Sequence, residues 1–288
     1  ALPPGRRTHI SMSTLLPGDF PKVVLSAPDT ARAEIYLHGG HITSWRTPDG
    51  RERLFLSEKS EFGPHAAIRG GVPVVFPQFA GLGPLPKHGF ARTMSWSYIG
   101  DQTNDNRTVT AHFRLDDTPT TRAIWARQFR LDLKVTVGGP QLRIALQVTN
   151  CDAQSFEFAA ALHTYFRVGE IERVTVEGLG GLAYREFGSD AVQPDGVLSI
   201  VGEVDRIYRD VPGPVRLYDD DQTLEVVAEG FPDIVVWNPG LERGATLADL
   251  EPEGYRHMLC IEAAAIGEPV ALEPDESWRG VQQIMVVG

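Results

Sequence analysis

The chain has 288 residues, and 27 Lys and Arg against 38 Asp and Glu leave a formal net charge of −11. That acidic balance argues against a general nucleic-acid binder, which needs a basic face to neutralise phosphates, but two or three local cations suffice for a small anionic ligand. With 42% hydrophobic and 23% charged residues, the chain has enough apolar material to offset the entropy of ordering, which argues against extensive disorder.

No apolar run reaches the roughly 18–20 residues that span a bilayer. The first ten residues, ALPPGRRTHI, lack the apolar core of a secretory signal, although a start at Ala1 leaves a processed leader open. Two cysteines, Cys151 and Cys260, are too few for a disulfide framework or a cysteine-based zinc site. The expectation is a reduced, cytoplasmic protein that engages neither membrane nor nucleic acid.

Along the chain the dominant period is two. Lys22–Ser26, Arg32–His38, Val72–Phe76 and Met94–Ile99 read as the first strands. In Arg107–Leu115, Val109, Ala111, Phe113 and Leu115 share one side, leaving His112 on the polar face. Arg130–Val137 and Gln141–Val148 alternate polar and apolar residues, and Gly138-Gly139 between them suits a tight hairpin turn. Phe156–Phe166, Glu172–Glu177, Leu224–Val227, Ile234–Trp237, Met258–Glu262 and Pro269–Leu272 complete the predicted strands. No stretch reads as an amphipathic helix of three turns. With 29 Gly and 21 Pro, turns recur about every 8–12 residues, the spacing of a sandwich or barrel. No linker, repeat or composition shift divides the chain. The predicted architecture is all-β, a single large antiparallel β-sandwich domain over residues 21–288 behind an N-terminal extension, residues 1–20.

Chemistry concentrates in three clusters. In the first, residues 68–92, Arg69, Lys87, His88 and Arg92 are four potential cations among glycines, which let backbone approach a ligand, and prolines, which stiffen a loop. Arginine forks suit phosphate or carboxylate and lysine adds a point charge, so the cluster reads as an anion site or as surface cations paired with carboxylates. In the second, His163 lies in the apolar run Leu162-His163-Thr164-Tyr165-Phe166, either a hydrogen-bonded core residue or an acid/base group. In the third, Glu262 ends Met258-Leu259-Cys260-Ile261 before three alanines. A buried carboxylate without a partner costs several kcal/mol and is seldom kept without a task, so Glu262 is a candidate general base unless it reaches solvent at a strand end. His38-Gly39-Gly40-His41 has no third ligand nearby and reads as a bulged turn; no metal site is expected. His65 and His257 have no companions. Asp205-Arg206 is a surface ion pair or a sugar-hydroxyl contact, and Trp237-Asn238-Pro239 lines a pocket or caps the core.

Taken in order, the segments His38–Trp45, Ile68–Pro73, Phe76–Phe79, Lys87–Arg92, Leu162–Phe166, Glu203–Tyr208, Val236–Pro239 and Cys260–Glu262 resemble the glucose-6-phosphate 1-epimerase (hexose-6-phosphate mutarotase) branch of the aldose 1-epimerase superfamily. The resemblance runs from about residue 22 to the C-terminus. It implies a galactose mutarotase-like supersandwich with a shallow sugar cleft and no cofactor, metal or organic. By the same resemblance His163 and Glu262 match the catalytic pair, and Arg69, Gln78, His88, Arg92 and Asp205 match substrate-contacting positions, the arginines holding the phosphate. The chain departs from the pattern at Ala80, where a polar residue or a second glycine is expected, and residues 1–20 match nothing in it.

The implied reaction interconverts the α and β anomers of a hexose 6-phosphate by opening and closing the hemiacetal. Glu262 would take the proton of the C1 hydroxyl while His163, starting protonated and helped by a neighbouring anion, supplies the ring oxygen. The alternatives are an aldose 1-epimerase for unphosphorylated hexoses, against which Arg69, Lys87 and Arg92 argue, and a non-catalytic sugar-phosphate binder, which needs no acid/base pair. A small-molecule partner and a monomeric state are expected, since nothing reads as a dimer helix or coiled coil.

Overall fold

A strand that alternates apolar and polar residues has one face to bury, and two sheets of such strands bury it by stacking. The computed structural model describes residues 10–11, 21–220 and 222–288. Their strands form antiparallel sheets of nine, eight and four strands. The predicted extension, residues 1–20, lies outside the described residues apart from the short strand Ile10–Ser11. The nine-stranded sheet is built around Phe129–Gly138, Gln141–Asn150 and Ser277–Val286. In the eight-stranded sheet, Met258–Leu272 lies between Asp233–Asn238 on one side and Phe156–Leu162 and Tyr165–Arg167 on the other. One continuous cluster of buried side chains draws on all three sheets, with Ile35, Leu131, Leu146, Leu162 and Ile261 among its members.

Most predicted strands are present, with three instructive differences. Met258–Glu262 and Pro269–Leu272 are parts of one 15-residue strand. Phe156–Phe166 is two strands, because the ladder is interrupted at His163-Thr164. Ser277–Val286 was not legible as a strand because polar Gln282 occupies a core position. There Thr164 Oγ1 donates to Gln282 Oε1 at 2.5 Å and Gln282 Nε2 donates to the Ile261 carbonyl at 3.1 Å, so the break at His163-Thr164 is tied across the core to the opposite sheet. The hairpin turn after Phe129–Gly138 falls one residue later than predicted, at Gly139-Pro140, with Gly139 at φ +58. Among the described residues no helix is long and apolar enough to cross a membrane.

The glycines after Arg69 serve the backbone rather than a ligand, contrary to expectation. A Cβ on Gly71 would lie 2.1 Å from the Ile42 carbonyl oxygen, and its φ of +59 is in the left-handed region. Replacing Gly71 with Ala is therefore expected to cost upwards of about 2 kcal/mol in chemical denaturation, since clash and strain add. Gly50, at φ +83 with nothing within 4 Å of its Cβ position, is the control and should lose no more than about 1–2 kcal/mol.

Candidate active site

Alternation on the eight-stranded sheet decides which residues meet. Along Met258–Leu272, Leu259, Ile261, Ala263 and Ala265 join the central core, which turns Cys260, Glu262 and Ala264 to the other face. The neighbours in register present their own outer residues: Val235 pairs with Glu262, and Trp237 pairs with both Cys260 and Asp205. Across the strand, Leu162 and Phe166 go inward, so His163 and Tyr165 share the face of Glu262. The same parity separates Asp205 from Arg206. Arg206 bonds Glu186 and Gln193 away from the cleft, so the two are not an ion pair with each other. On this outer face lies a cavity of about 370 Å³ whose lining includes His163, Glu262, Asp205 and Trp237, a size suited to a small ligand.

On the cavity wall, His163 Nε2 lies 3.2 Å from Glu262 Oε1, with both side chains almost wholly enclosed. Glu262 sits within the long strand and is 1% exposed, which rules out the solvent-reaching reading. Burial, reinforced by Asp205 and opposed by Arg92, holds the Glu262 carboxyl well above the usual carboxylate range. Burial, then the nearness of His88 and the charges of Arg92 and Arg69, hold His163 well below the usual imidazole value. His163 therefore faces cations where an anion was expected to keep it protonated, and both shifts favour the uncharged forms, imidazole and carboxylic acid. One proton belongs to the dyad as a whole. His163 Nδ1 and Glu262 Oε2 have no hydrogen-bond partner among the described residues, a state that costs about 1–3 kcal/mol per buried group and calls for an explanation.

Aromatic rings fix the imidazole. Tyr165 stacks on His163 with centroids 4.8 Å apart and planes 11° from parallel, while Trp237 meets it edge-on at 5.9 Å. The Tyr165 hydroxyl accepts from Arg69 Nη1 at 3.0 Å, and Arg69 Nε donates to Asp249 at 3.1 Å. Arg69 thus combines the two readings left open for it, a cavity cation and an ion-pair partner. Arg92 Nη2 donates to the Lys87 carbonyl at 3.0 Å and its buried Nε has no partner among the described residues.

His88 is not a cation. Its Nδ1 accepts from the Ala80 backbone N–H at 3.3 Å, and burial with Arg92, Lys87 and Arg69 nearby lowers its pKa to about 3. It meets His163 edge-on at 5.5 Å, a neutral imidazole with Nε2–H free to donate. Its place among the cations is taken by Arg243, which sequence reasoning missed because Gly240–Ala245 is only a six-residue helix without apolar periodicity. A Cβ on Gly240, at φ +60, would lie 2.6 Å from Glu203 N, so only glycine lets this helix abut the segment leading to Asp205. Lys87 and Arg243 make no ion pair among the described residues, and burial, Arg243, Arg92 and Arg69 together lower the Lys87 pKa.

Gln78 is brought elsewhere. Its amide bonds the Ala80 and Leu85 carbonyls and the Leu85 N–H, bracing the loop over an adjacent hollow lined by Trp125 and Phe158. Ala80, where a polar residue or a second glycine was expected, sits at φ +47 on the cleft rim. His38 and His41 each donate to a backbone carbonyl, of Ala66 and Gly70, and do not converge on a common point.

Comparison with known proteins agrees with this geometry. The family model described as aldose 1-epimerase matches residues 21–285. A protein of Cenchrus ciliaris named "Putative glucose-6-phosphate 1-epimerase" is 37% identical over 276 residues, covering 92% of this chain and 84% of its own length. One of the same name from Salmonella typhimurium strain LT2 is 31% identical over 274 residues, covering 93% and 91%. The crystal structure of "a putative mutarotase (YeaD)" from Salmonella typhimurium superposes with a TM-score of 0.87 at 28% identity, covering 97% of both chains. An all-β, galactose mutarotase-like fold is common to the chain and the solved structure, and the chain belongs to the aldose 1-epimerase family.

Proposed function

We propose that this isomerase interconverts the α and β anomers of a hexose 6-phosphate, with glucose 6-phosphate the first candidate, and that His163 and Glu262 carry the protons. The observation that supports this most directly is the enclosed dyad beside Lys87 and Arg243, two cations without carboxylate partners in the same cavity. In opening, one member of the dyad takes the proton of the C1 hydroxyl as the other delivers a proton to the ring oxygen, and the C1–O5 bond breaks. Rotation about C1–C2 turns the aldehyde over, and the reverse transfers close the ring on its other face. Electrons and protons balance within the sugar and the pair, so the scheme needs no cofactor.

Which member starts as the base depends on where the shared proton sits. In the free protein the shifts favour Glu262 as its holder, because burial first, and then Arg92 and Arg69, disfavour a charged His163. A bound phosphate dianion offsets those charges and favours transfer of the proton to His163 Nε2, leaving Glu262 as the carboxylate that attacks the C1 hydroxyl proton. Arg69, Arg92, Lys87 and Arg243 are assigned to the phosphate, and Asp205 and the Nε2–H of His88 to sugar hydroxyls. The named relatives favour the phosphorylated sugar, as do the cations. We take the enzyme to act as a monomeric single domain, residues 21–288, in a reducing cytoplasm. Cys151 and Cys260 are free thiols, as a reducing compartment would leave them.

The test is NMR exchange between the anomeric protons of glucose 6-phosphate, with glucose beside it. Acceleration on the phosphate ester well above that on glucose is expected; acceleration on glucose alone, or on neither, would overturn the reading. In the same assay His163→Ala and Glu262→Gln should each lower kcat/KM by about 10²–10⁴-fold. Wild-type turnover in either variant removes that residue's role. Lys87→Ala and Arg243→Ala should each raise KM for glucose 6-phosphate by roughly 10–100-fold, with a much smaller effect on glucose; equal losses on both sugars would withdraw the phosphate assignment.

The pH dependence follows from the directions of the shifts. His163, depressed, takes a second proton only below the ordinary imidazole value of about 6.5, and Glu262, elevated, releases the dyad's proton only above the ordinary carboxyl range. After subtraction of the spontaneous rate, kcat/KM, which reports the free enzyme, is expected to hold across neutral pH and to fall on both sides. Limbs at the unshifted values of about 4.3 and 6.5 would contradict the shared proton.

A further inference from the structure

We infer that Phe187 is a substrate-capping residue, an aromatic ring held over the cleft mouth to cover the apolar face of the bound sugar. The inference rests on the sugar-binding reading of the cleft given above. Ala183–Glu186 and Ser189–Val192 form a hairpin at the edge of the eight-stranded sheet, with Glu186 paired to Ser189. That register leaves two turn residues, Phe187 at φ +48 and Gly188 at φ +83. Positive φ at both positions marks the turn class that Asn-Gly and Asp-Gly fill best, and a bulky side chain in the first of them is a genuine outlier.

Nothing in the free protein compensates that strain. The Phe187 ring is 64% exposed, so packing gives little back. The turn is braced from outside the ring, by Arg185 Nη2 donating to the Gly188 carbonyl at 3.2 Å. Yet Phe187 lines the same cavity as His163, Glu262 and Asp205. Its hairpin reaches that position because Glu186 pairs with Arg206, the residue after Asp205, while Glu186 Oε1 accepts from the Asp205 N–H at 3.3 Å. Backbone strain kept at a cleft rim, with an exposed ring as its product, points to a function for the ring. Most other lining groups are titratable and suit the hydroxyls and the phosphate; the further aromatic rings, Phe79 and Trp237, pack edge-on against His88 and His163, which leaves Phe187 as the exposed ring. A pyranose also presents C–H groups, and a flat aromatic face is what covers them at little entropic cost.

Phe187→Asn is the discriminating variant, because asparagine suits the turn better than phenylalanine does. Its thermal midpoint should equal or exceed that of the wild type, while KM for glucose 6-phosphate rises roughly tenfold and the loss falls on KM rather than kcat. Phe187→Trp should restore a KM near the wild-type value. An unchanged KM in Phe187→Asn, or a loss that tryptophan does not rescue, would overturn the cap. A titration of glucose 6-phosphate binding by NMR separates this outcome from failure of the epimerase reading. If the wild type binds the sugar without accelerating exchange and Phe187→Asn binds it about tenfold more weakly, the cap stands and the epimerase reading falls. If the wild type neither binds nor turns over the sugar, both fall.

Discussion

The arrangement of this protein follows from enclosing a carboxyl and an imidazole 3.2 Å apart on the outer face of a sheet whose inner face is the hydrophobic core. Two ionised groups there would each lose their hydration, which drives the pair to its neutral forms and leaves it one proton to share. In the proposed reaction that proton serves hemiacetal opening, which needs an acid and a base at the same instant. The rest of the site fixes the two groups without pairing them off. Tyr165 and Trp237 hold the imidazole by ring contact, and Val235 and Ala264 flank Glu262 with apolar side chains. Ordinary hydrogen bonds to Glu262 Oε2 or His163 Nδ1 would fix the proton in place; the described residues supply neither.

The break in the strand at His163-Thr164 connects this chemistry to folding. Alternation sends Thr164 inward to Gln282 on the opposite sheet and His163 outward to Glu262, so one pair of residues sets both the core contact and the cleft contact. Positive charge then enters from loops rather than strands. Arg69, Lys87 and Arg92 follow the Gly- and Pro-rich connections, and Arg243 comes from a short helix. Loops are suited to this task, since a phosphate tolerates several donor geometries while the acid/base pair does not. Two of these cations, Arg92 and Arg69, add to burial in lowering the proton affinity of His163, which under the proposed function links phosphate binding to the protonation state of the dyad.

Much of this was legible in the sequence because β-structure writes its faces at period two. The hairpin of Phe129–Gly138 and Gln141–Asn150 and the strand Val109–Asp116 follow directly from alternation. Glu262 stood out as a carboxylate in an apolar run, and the structure encloses it. Three features were not legible. Arg243 lies outside the three clusters, on a helix too short to show a period, and joins the cavity only through tertiary packing. Gln78 sits in a suggestive motif, yet its amide is consumed by its own loop, which only backbone geometry reveals. The neutrality of His88 depends on a hydrogen bond from Ala80, eight residues away, and on cations that chain order does not place around it.

The measurement closest to the central claim is the titration of the His163 ring in the free protein by nitrogen-detected NMR, assigned through the His163→Ala spectrum. The account predicts a neutral imidazole at pH 7 that gains its proton only well below the ordinary value of about 6.5. It also predicts movement toward the protonated form when glucose 6-phosphate occupies the cleft. An imidazolium already present at pH 7 in the free protein would contradict the shared-proton dyad and return Glu262 to the role of a permanently ionised base.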